Sequence, residues 1–192
     1  MTRLALLRHG HTEWNRAGRI QGRSDIPLDA EARADLAKLC LPAPWDTATL
    51  WSSPLERARD TAELVSDRVP DIANALTEMT WGDWEGQRGE ALLATPGSGY
   101  AHIEDWGWEF RPPGGETPRE VAKRLTPWLA GLEGDTVAVS HIGVMRVLLA
   151  LAHDWEFDGP APFRIKRNRL YVITVEGDRL RPDPDPVRLE PR

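Results

Sequence analysis

Two histidines and two arginines stand where short apolar runs of this sequence end. Leu4–Leu7 leads directly into Arg8-His9-Gly10, Thr47–Trp51 into Ser53-Pro54-Leu55-Glu56-Arg57, and Thr136–Val139 into Ser140-His141. Planar guanidinium forks hold phosphate oxygens bidentately. A neutral imidazole is a nucleophile that can carry a covalent intermediate, and a cationic neighbour such as Arg8 disfavours protonation of His9. Helix starts at Pro54 and Ile142 would add backbone N–H donors and the positive end of the helix dipole. The chemistry these groups share is phosphoryl transfer to His9, then to water or to a second acceptor. Each residue also has a plainer explanation: Arg8-His9 as a surface loop, Arg57 as a solvated helix side chain, His141 as a satisfied core histidine. One crevice that holds all of them explains them jointly.

The elements that must build such a crevice are visible in the pattern. The three apolar runs read as buried strands, and Arg169–Val175, rich in β-branched and aromatic residues, reads as a fourth. Helical spacing covers Asp29–Leu39, with Ala32, Leu36 and Leu39 on one stripe. Ser53-Pro54-Leu55-Glu56 has the form of a capping box with proline at the first helical position, opening a helix from Pro54 to about Arg68. Glu116–Leu132 reads as a helix that Pro127 kinks or splits. Ile142–Ala152 reads as a strongly apolar helix. Residues 82–113, rich in Gly, Pro and Trp, predict a short helix within an irregular cover over the site, and 181–192, with four prolines, an extended surface tail. Strands alternating with helices predict a three-layer α/β/α sandwich with a mainly parallel sheet. Ligands of such sheets bind outside the carboxyl ends of the strands, where Arg8-His9, Ser53–Arg57 and His141 fall.

Composition narrows the class. The chain has 192 residues with 24 Lys+Arg against 30 Asp+Glu, a net charge of −6. One domain spanning 1–192 is expected. Net acidity argues against a nucleic-acid partner. No apolar stretch reaches the roughly 18 residues of a membrane span. Cys40 is the single cysteine, which fits a reducing compartment, so a cytoplasmic protein is expected. Nine tryptophans are unusual and read as core or pocket-wall residues.

At this level of detail the sequence resembles a known family. Leu7-Arg8-His9-Gly10-His11-Thr12, with Asn15 and Gly18-Arg19-Ile20-Gln21-Gly22, looks like the signature of the histidine phosphatase superfamily, the phosphoglycerate-mutase-like proteins. Ser52–Ala58, Leu76–Gly86, Pro113–Thr117 and Val139–Arg146 resemble four further motifs of that family in order. The resemblance implies a phosphoglycerate-mutase-like fold and assigns roles. His9 would be the phosphorylated nucleophile, and Arg8, Arg57 and His141 would bind the phosphoryl group. Glu78 would be the proton donor to the leaving oxygen and then the base for water. Asn15, Gln21, Gly22 and Ile142 would contact the substrate. It is the resemblance, and not periodicity, that selects Glu78 over Glu85; Asp83 and Glu85 read as structural or solvated. No metal and no cofactor are implied.

Two positions depart from the family pattern. His11 stands where Glu or Gln is common, and would place a further imidazole in the pocket. Ile142 stands where Gly or Asn is common, which leaves the backbone path after His141 open. The leading expectation is a metal-independent phosphomonoesterase acting on a small phosphorylated metabolite. A phosphoglycerate mutase is the alternative, although 192 residues leave little room for the insertions of the full cofactor-dependent enzymes. A metal-dependent hydrolase using His9, His11 and His141 is disfavoured by the adjacent Arg8 and Arg57, and a catalytically silent module by the intact His9, Arg57, Glu78 and His141. The aromatic residues of the cover, Trp81, Trp84, Tyr100, Trp106, Trp108 and Phe110, read either as a wall for the leaving group or as packing. The sequence leaves the substrate and the oligomeric state open.

Overall fold

The structure, a computed structural model, describes residues 2–177 and 179–192. Its centre is strand β1 (Thr2–Arg8), in which Leu4, Ala5, Leu6 and Leu7 are all almost completely buried. Both faces of this strand are covered, which is why the sequence reads as a continuous apolar run rather than an alternation. Leu4 and Leu6 join one hydrophobic core, Ala5 and Leu7 the other. Full burial of each leucine is worth about 1.5–3 kcal/mol.

Strand β2 (Leu39–Cys40) lies apart from the main sheet. Strands β3 (Thr49–Ser52), β4 (Asp71–Ile72) and β5 (Asp135–Ser140) form its parallel part, with β1 beside β5 and β3 on the far side of β5. On the other side of β1, strand β6 (Arg169–Glu176) runs antiparallel and carries β7 (Arg179–Pro182) and β8 (Val187–Arg188). The order is β4-β3-β5-β1-β6-β7, so the strands that end at the predicted site residues are contiguous. Helices α2 (Ala30–Leu36) and α3 (Glu56–Ser66), which follow the single turn α1 (Glu13–Arg16), contribute Leu36, Ala58, Ala62 and Val65 to the core on one face. Beyond the short α4 (Gly89–Ala94), helices α5 (Pro118–Ala130) and α6 (Ile142–Ala152) contribute Val121, Leu125, Val144 and Leu148 to the other. The predicted three-layer α/β/α arrangement is therefore the fold.

Two local expectations are corrected, and the extended tail is found to be anchored. Helix α3 starts at Glu56, not Pro54, and no side chain caps it through Leu55. The Glu56 N–H donates instead to Asp25 (2.9 Å), and the Ser53 hydroxyl is engaged with His141 (2.7 Å). Pro127 does not split α5, which runs unbroken from Pro118 to Ala130. Both Pro127 and Lys123, whose carbonyl loses its donor, face solvent, where water replaces the missing bond. The tail is extended but not loose: β9 (Glu190–Pro191) pairs with β2, Leu189 is buried, and the Arg192 guanidinium bonds to the Leu39 and Leu64 carbonyls.

Residues 82–113 form the predicted short helix, α4, within irregular chain. Trp84, Trp106 and Trp108 are buried there, with Trp106 stacked on Phe110 (4.8 Å between rings) and Trp108 edge-on to Phe157 (5.0 Å). This aromatic packing is continuous with the core on the α5–α6 face.

Candidate active site

The carboxyl ends of β1, β3 and β5 meet at one edge of the sheet. There the His9 and His141 rings lie 5.1 Å apart. A cleft of about 220 Å³ opens beside them, lined by Arg8, His9, Asn15, Arg19, Ile20, Gln21, Trp81, Tyr100, Ile142 and Arg146.

His9 is held in one protonation state. Its backbone N–H donates to Ser140 (3.0 Å), and its Nδ1 lies 2.7 Å from the Gly10 carbonyl. A carbonyl only accepts, so Nδ1 carries the proton and Nε2 the lone pair. Burial, reinforced by the charges of Arg57, Arg8 and Arg167, holds the imidazole pKa well below the ordinary histidine value. His9 is therefore a neutral base with a free Nε2 at physiological pH.

Around it stand polar nitrogens that find no partner among the described residues. Arg8 Nε, Arg57 Nε, Gln21 Nε2 and His141 Nδ1 are all buried and unpartnered. Arg57, with no exposed surface, donates through Nη2 to the Gly22 carbonyl (2.7 Å) and through Nη1 to the Ser24 carbonyl (2.9 Å), which fixes its third nitrogen. Gln21 is oriented by two donors on its Oε1, the Thr12 hydroxyl (2.8 Å) and Asn15 Nδ2 (3.2 Å). The Ser53 hydroxyl accepts from the Leu55 N–H (3.3 Å) and shares a hydrogen bond with His141 Nε2 (2.7 Å), while His141 Nδ1 has no partner among the described residues. Burial, then the nearby Arg167 and Arg146, lowers the Arg8 pKa to about 9, still protonated at neutral pH.

Glu78 is buried behind the cleft rather than lining it. His141, the residue before α6, makes no side-chain cap, and Glu78 takes over that role. It accepts from the N–H groups of Gly143 (3.0 Å), Val144 (3.3 Å) and Met79 (2.7 Å). Burial pushes its carboxyl pKa up, while these N–H groups and Arg57 act in the opposite sense without cancelling the rise.

Gly143 makes this possible, since a Cβ there would sit 2.4 Å from Glu78 Oε1. Gly143→Ala is expected to displace that carboxylate and to cost about 1–3 kcal/mol, the usual scale of overpacking. Urea unfolding of the variant measures the loss; unchanged stability with unchanged activity would show that the carboxylate sits elsewhere.

Other predicted residues fall differently. Gly22 does not line the cleft; its carbonyl anchors Arg57, and its Cα packs so closely on Glu85 that a Cβ would lie 2.1 Å from Oε1. Glu85 is structural as expected, accepting from the N–H groups of Arg23 and Ser24 (2.9 Å each) and from the Ser24 hydroxyl (2.6 Å). Asp83 is exposed. His11 turns away from His9 into a separate depression with Arg16, Glu31, Asp35 and Arg167. The three histidines of the metal-hydrolase reading therefore do not converge, and among the described residues no three His, Cys, Asp or Glu form a metal-binding group.

Of the aromatics read as wall or packing, Trp81 and Tyr100 line the cleft, and Arg19, Ile20 and Arg146 line it without having been assigned a role. Arg146 was part of a motif, four positions after Ile142 and so on the same helical face. Its guanidinium lies 5.7 Å from the Trp106 ring centre.

This arrangement has relatives. Residues 4–183 match the histidine phosphatase superfamily (branch 1), and the chain belongs to that family. It is 34% identical over 165 residues to a glucosyl-3-phosphoglycerate phosphatase of Mycolicibacterium vanbaalenii, covering 77% of this chain and 72% of the relative. It is 35% identical over 160 residues to an adenosylcobalamin/alpha-ribazole phosphatase of Salmonella typhimurium, covering 77% and 78%. The crystal structure of a phosphoglycerate mutase from Thermus thermophilus is similar over 98% of each chain, with 34% identity and a TM-score of 0.68.

Proposed function

We propose that this chain is a metal-independent phosphomonoesterase that hydrolyses a small phosphorylated metabolite through a phosphohistidine at His9. One observation carries the reading: a buried imidazole whose Nε2 is free, surrounded by buried nitrogens of Arg8, Arg57, Gln21 and His141 that have no partner among the described residues. Such a pocket suits a phosphoryl group and little else. The phosphatase names of two relatives support it.

In this reading Nε2 of His9 attacks phosphorus while Arg8, Arg57 and His141 neutralise the charge spread over the phosphoryl oxygens. Asn15, Gln21 and the backbone at Ile142 orient the ester, and Gly22 acts through Arg57. Glu78 exchanges its N–H bonds at the start of α6 for the leaving oxygen, which it protonates, and then accepts a proton from the attacking water. The 192 residues work as one unit, with 82–113 covering the site. A cytoplasmic setting fits the single Cys40, the net charge of −6 argues against a nucleic-acid partner, and among the described residues no helix is long and apolar enough to cross a membrane.

Arg8 and Arg57 supply the positive charge that a metal would otherwise bring. Hydrolysis of p-nitrophenyl phosphate is therefore expected to proceed unchanged in EDTA and to be inhibited by orthovanadate, which mimics pentacoordinate phosphorus. Loss of activity in EDTA with recovery on adding zinc or magnesium would overturn the metal-independent reading. The similarity to a phosphoglycerate mutase keeps transfer to a second acceptor as the alternative. Following phosphoglycerates by phosphorus NMR separates the two, as isomerised ester marks a mutase and inorganic phosphate a phosphatase.

A further inference from the structure

Arg167 belongs to none of the five motifs, yet from the chain leading into β6, on the opposite side of β1, it bonds to the backbone of His9 and the side chain of Asn15. It lies on the chain between α6 and β6, immediately before Asn168, whose φ is +57°. Its Nε donates to the His9 carbonyl (3.1 Å) and its Nη2 to Asn15 Oδ1 (2.9 Å). We propose that Arg167 is a positioning residue that clamps the nucleophile and the Asn15–Gln21 donor pair in one rigid frame. This rests on the reading of His9 as the nucleophile.

The frame can be followed bond by bond. The His9 peptide is gripped from β5, where its N–H donates to Ser140, and from the β6 side, where its carbonyl accepts from Arg167. With Nδ1 tied to Gly10 as well, both the backbone and the ring of His9 are fixed. On its second arm Arg167 shares Asn15 Oδ1 with the Thr12 N–H (3.2 Å). Two donors on that oxygen leave the Asn15 amide one orientation, with Nδ2 facing Gln21 Oε1. Gln21 Oε1 is then saturated by Asn15 and Thr12, which turns Gln21 Nε2 out as a free donor. A single planar fork thus sets the nucleophile and a phosphoryl-binding donor relative to each other. A lysine in its place would keep the charge but not the two-point geometry.

The charge of Arg167 acts too. His9 is faced by Arg8 from its own strand, Arg57 from α3, His141 from the start of α6 and Arg167 from the β6 side. After burial, the three guanidinium groups all disfavour the imidazolium form, so removing Arg167 raises the His9 pKa.

The test is single-turnover phosphorylation of His9 by p-nitrophenyl phosphate in the wild-type chain, Arg167→Met and Arg167→Lys, as a function of pH, with thermal melting as the control for folding. Arg167→Met is expected to slow His9 phosphorylation roughly 10–100-fold, the scale of a small misplacement of a reacting group. Its acid limb moves to higher pH. Arg167→Lys is expected to be slowed as well, with its acid limb where the wild type has it. If the methionine variant does not fold, the lysine variant decides, and a wild-type rate there overturns the proposal. A folded methionine variant slowed less than about threefold, with an unmoved acid limb, also overturns it. Absence of phosphohistidine in the wild-type chain would instead remove the nucleophile reading on which the proposal stands.

Discussion

Replacing His9 with alanine abolishes turnover and leaves the fold in place. The imidazole is the acceptor of the phosphoryl group in the first half-reaction, and no other side chain lining the cleft offers a neutral nitrogen with an available lone pair in its place. His141 has its Nε2 occupied by Ser53 and does not line the cleft, so it is not placed to stand in. A loss of at least roughly 10⁴-fold is expected, since removing a covalent nucleophile leaves only binding and electrostatic assistance. The structural cost is small, because His9 forms its side-chain bond to the adjacent Gly10 carbonyl alone. Wild-type protein quenched during turnover should carry label on His9 that is labile in acid and stable in base. Alanine-variant activity at the wild-type level would end the assignment.

Glu78→Gln is expected to lower the rate on alkyl phosphates roughly 10²–10⁴-fold, the range of general acid–base catalysis. Glutamine keeps the size, and its carbonyl oxygen can still accept one of the N–H bonds at the start of α6. It cannot deliver a proton to an alkoxide. The loss in the single-turnover burst should be smaller for p-nitrophenyl phosphate, whose leaving group needs little protonation. The pH profile carries the same distinction. Protonated His9 is no nucleophile, and its pKa lies well below the usual value, so kcat/KM falls only at low pH. Ionised Glu78 is no acid, and burial lifts its pKa, so the rate falls again as pH rises through that lifted value. The glutamine variant should lose this alkaline limb on alkyl phosphates. Equal losses for both leaving groups would mean that Glu78 only positions the substrate.

What could be read from the sequence was whatever burial imposes. Leu4–Leu7 and Val137–Val139 are enclosed on both faces, so their apolar runs announced the central strands, and α6 was legible from end to end as Ile142–Ala152. Strands β2, β4, β8 and β9 have two residues each, too few to show a period. The cap of α3 was misread because function had claimed its serine: Ser53 serves His141, and Asp25 from a distant loop caps the helix instead. At the site, Arg8, His9, Arg57 and His141 followed from strand exits, whereas Glu78 came only with the family resemblance. Tyr100 reaches the cleft through the folding of the irregular cover and Arg19 through the loop that follows α1, and neither segment carries a periodic signal. Arg167 sits 158 positions from the carbonyl it holds, on a segment outside every motif.

The aromatic packing of the cover also gives the protein an optical property. Trp81 is in the wall of the cleft, 5.4 Å from Trp106 and 6.4 Å from Trp84, ring centre to ring centre. At such separations excitation passes between indoles faster than it is emitted, so the three behave as one chromophore rather than as separate emitters. A ligand that quenches Trp81 therefore drains light absorbed anywhere in the group. Occupancy of the cleft is thus expected to be readable from intrinsic fluorescence, as a change larger than one tryptophan alone would give.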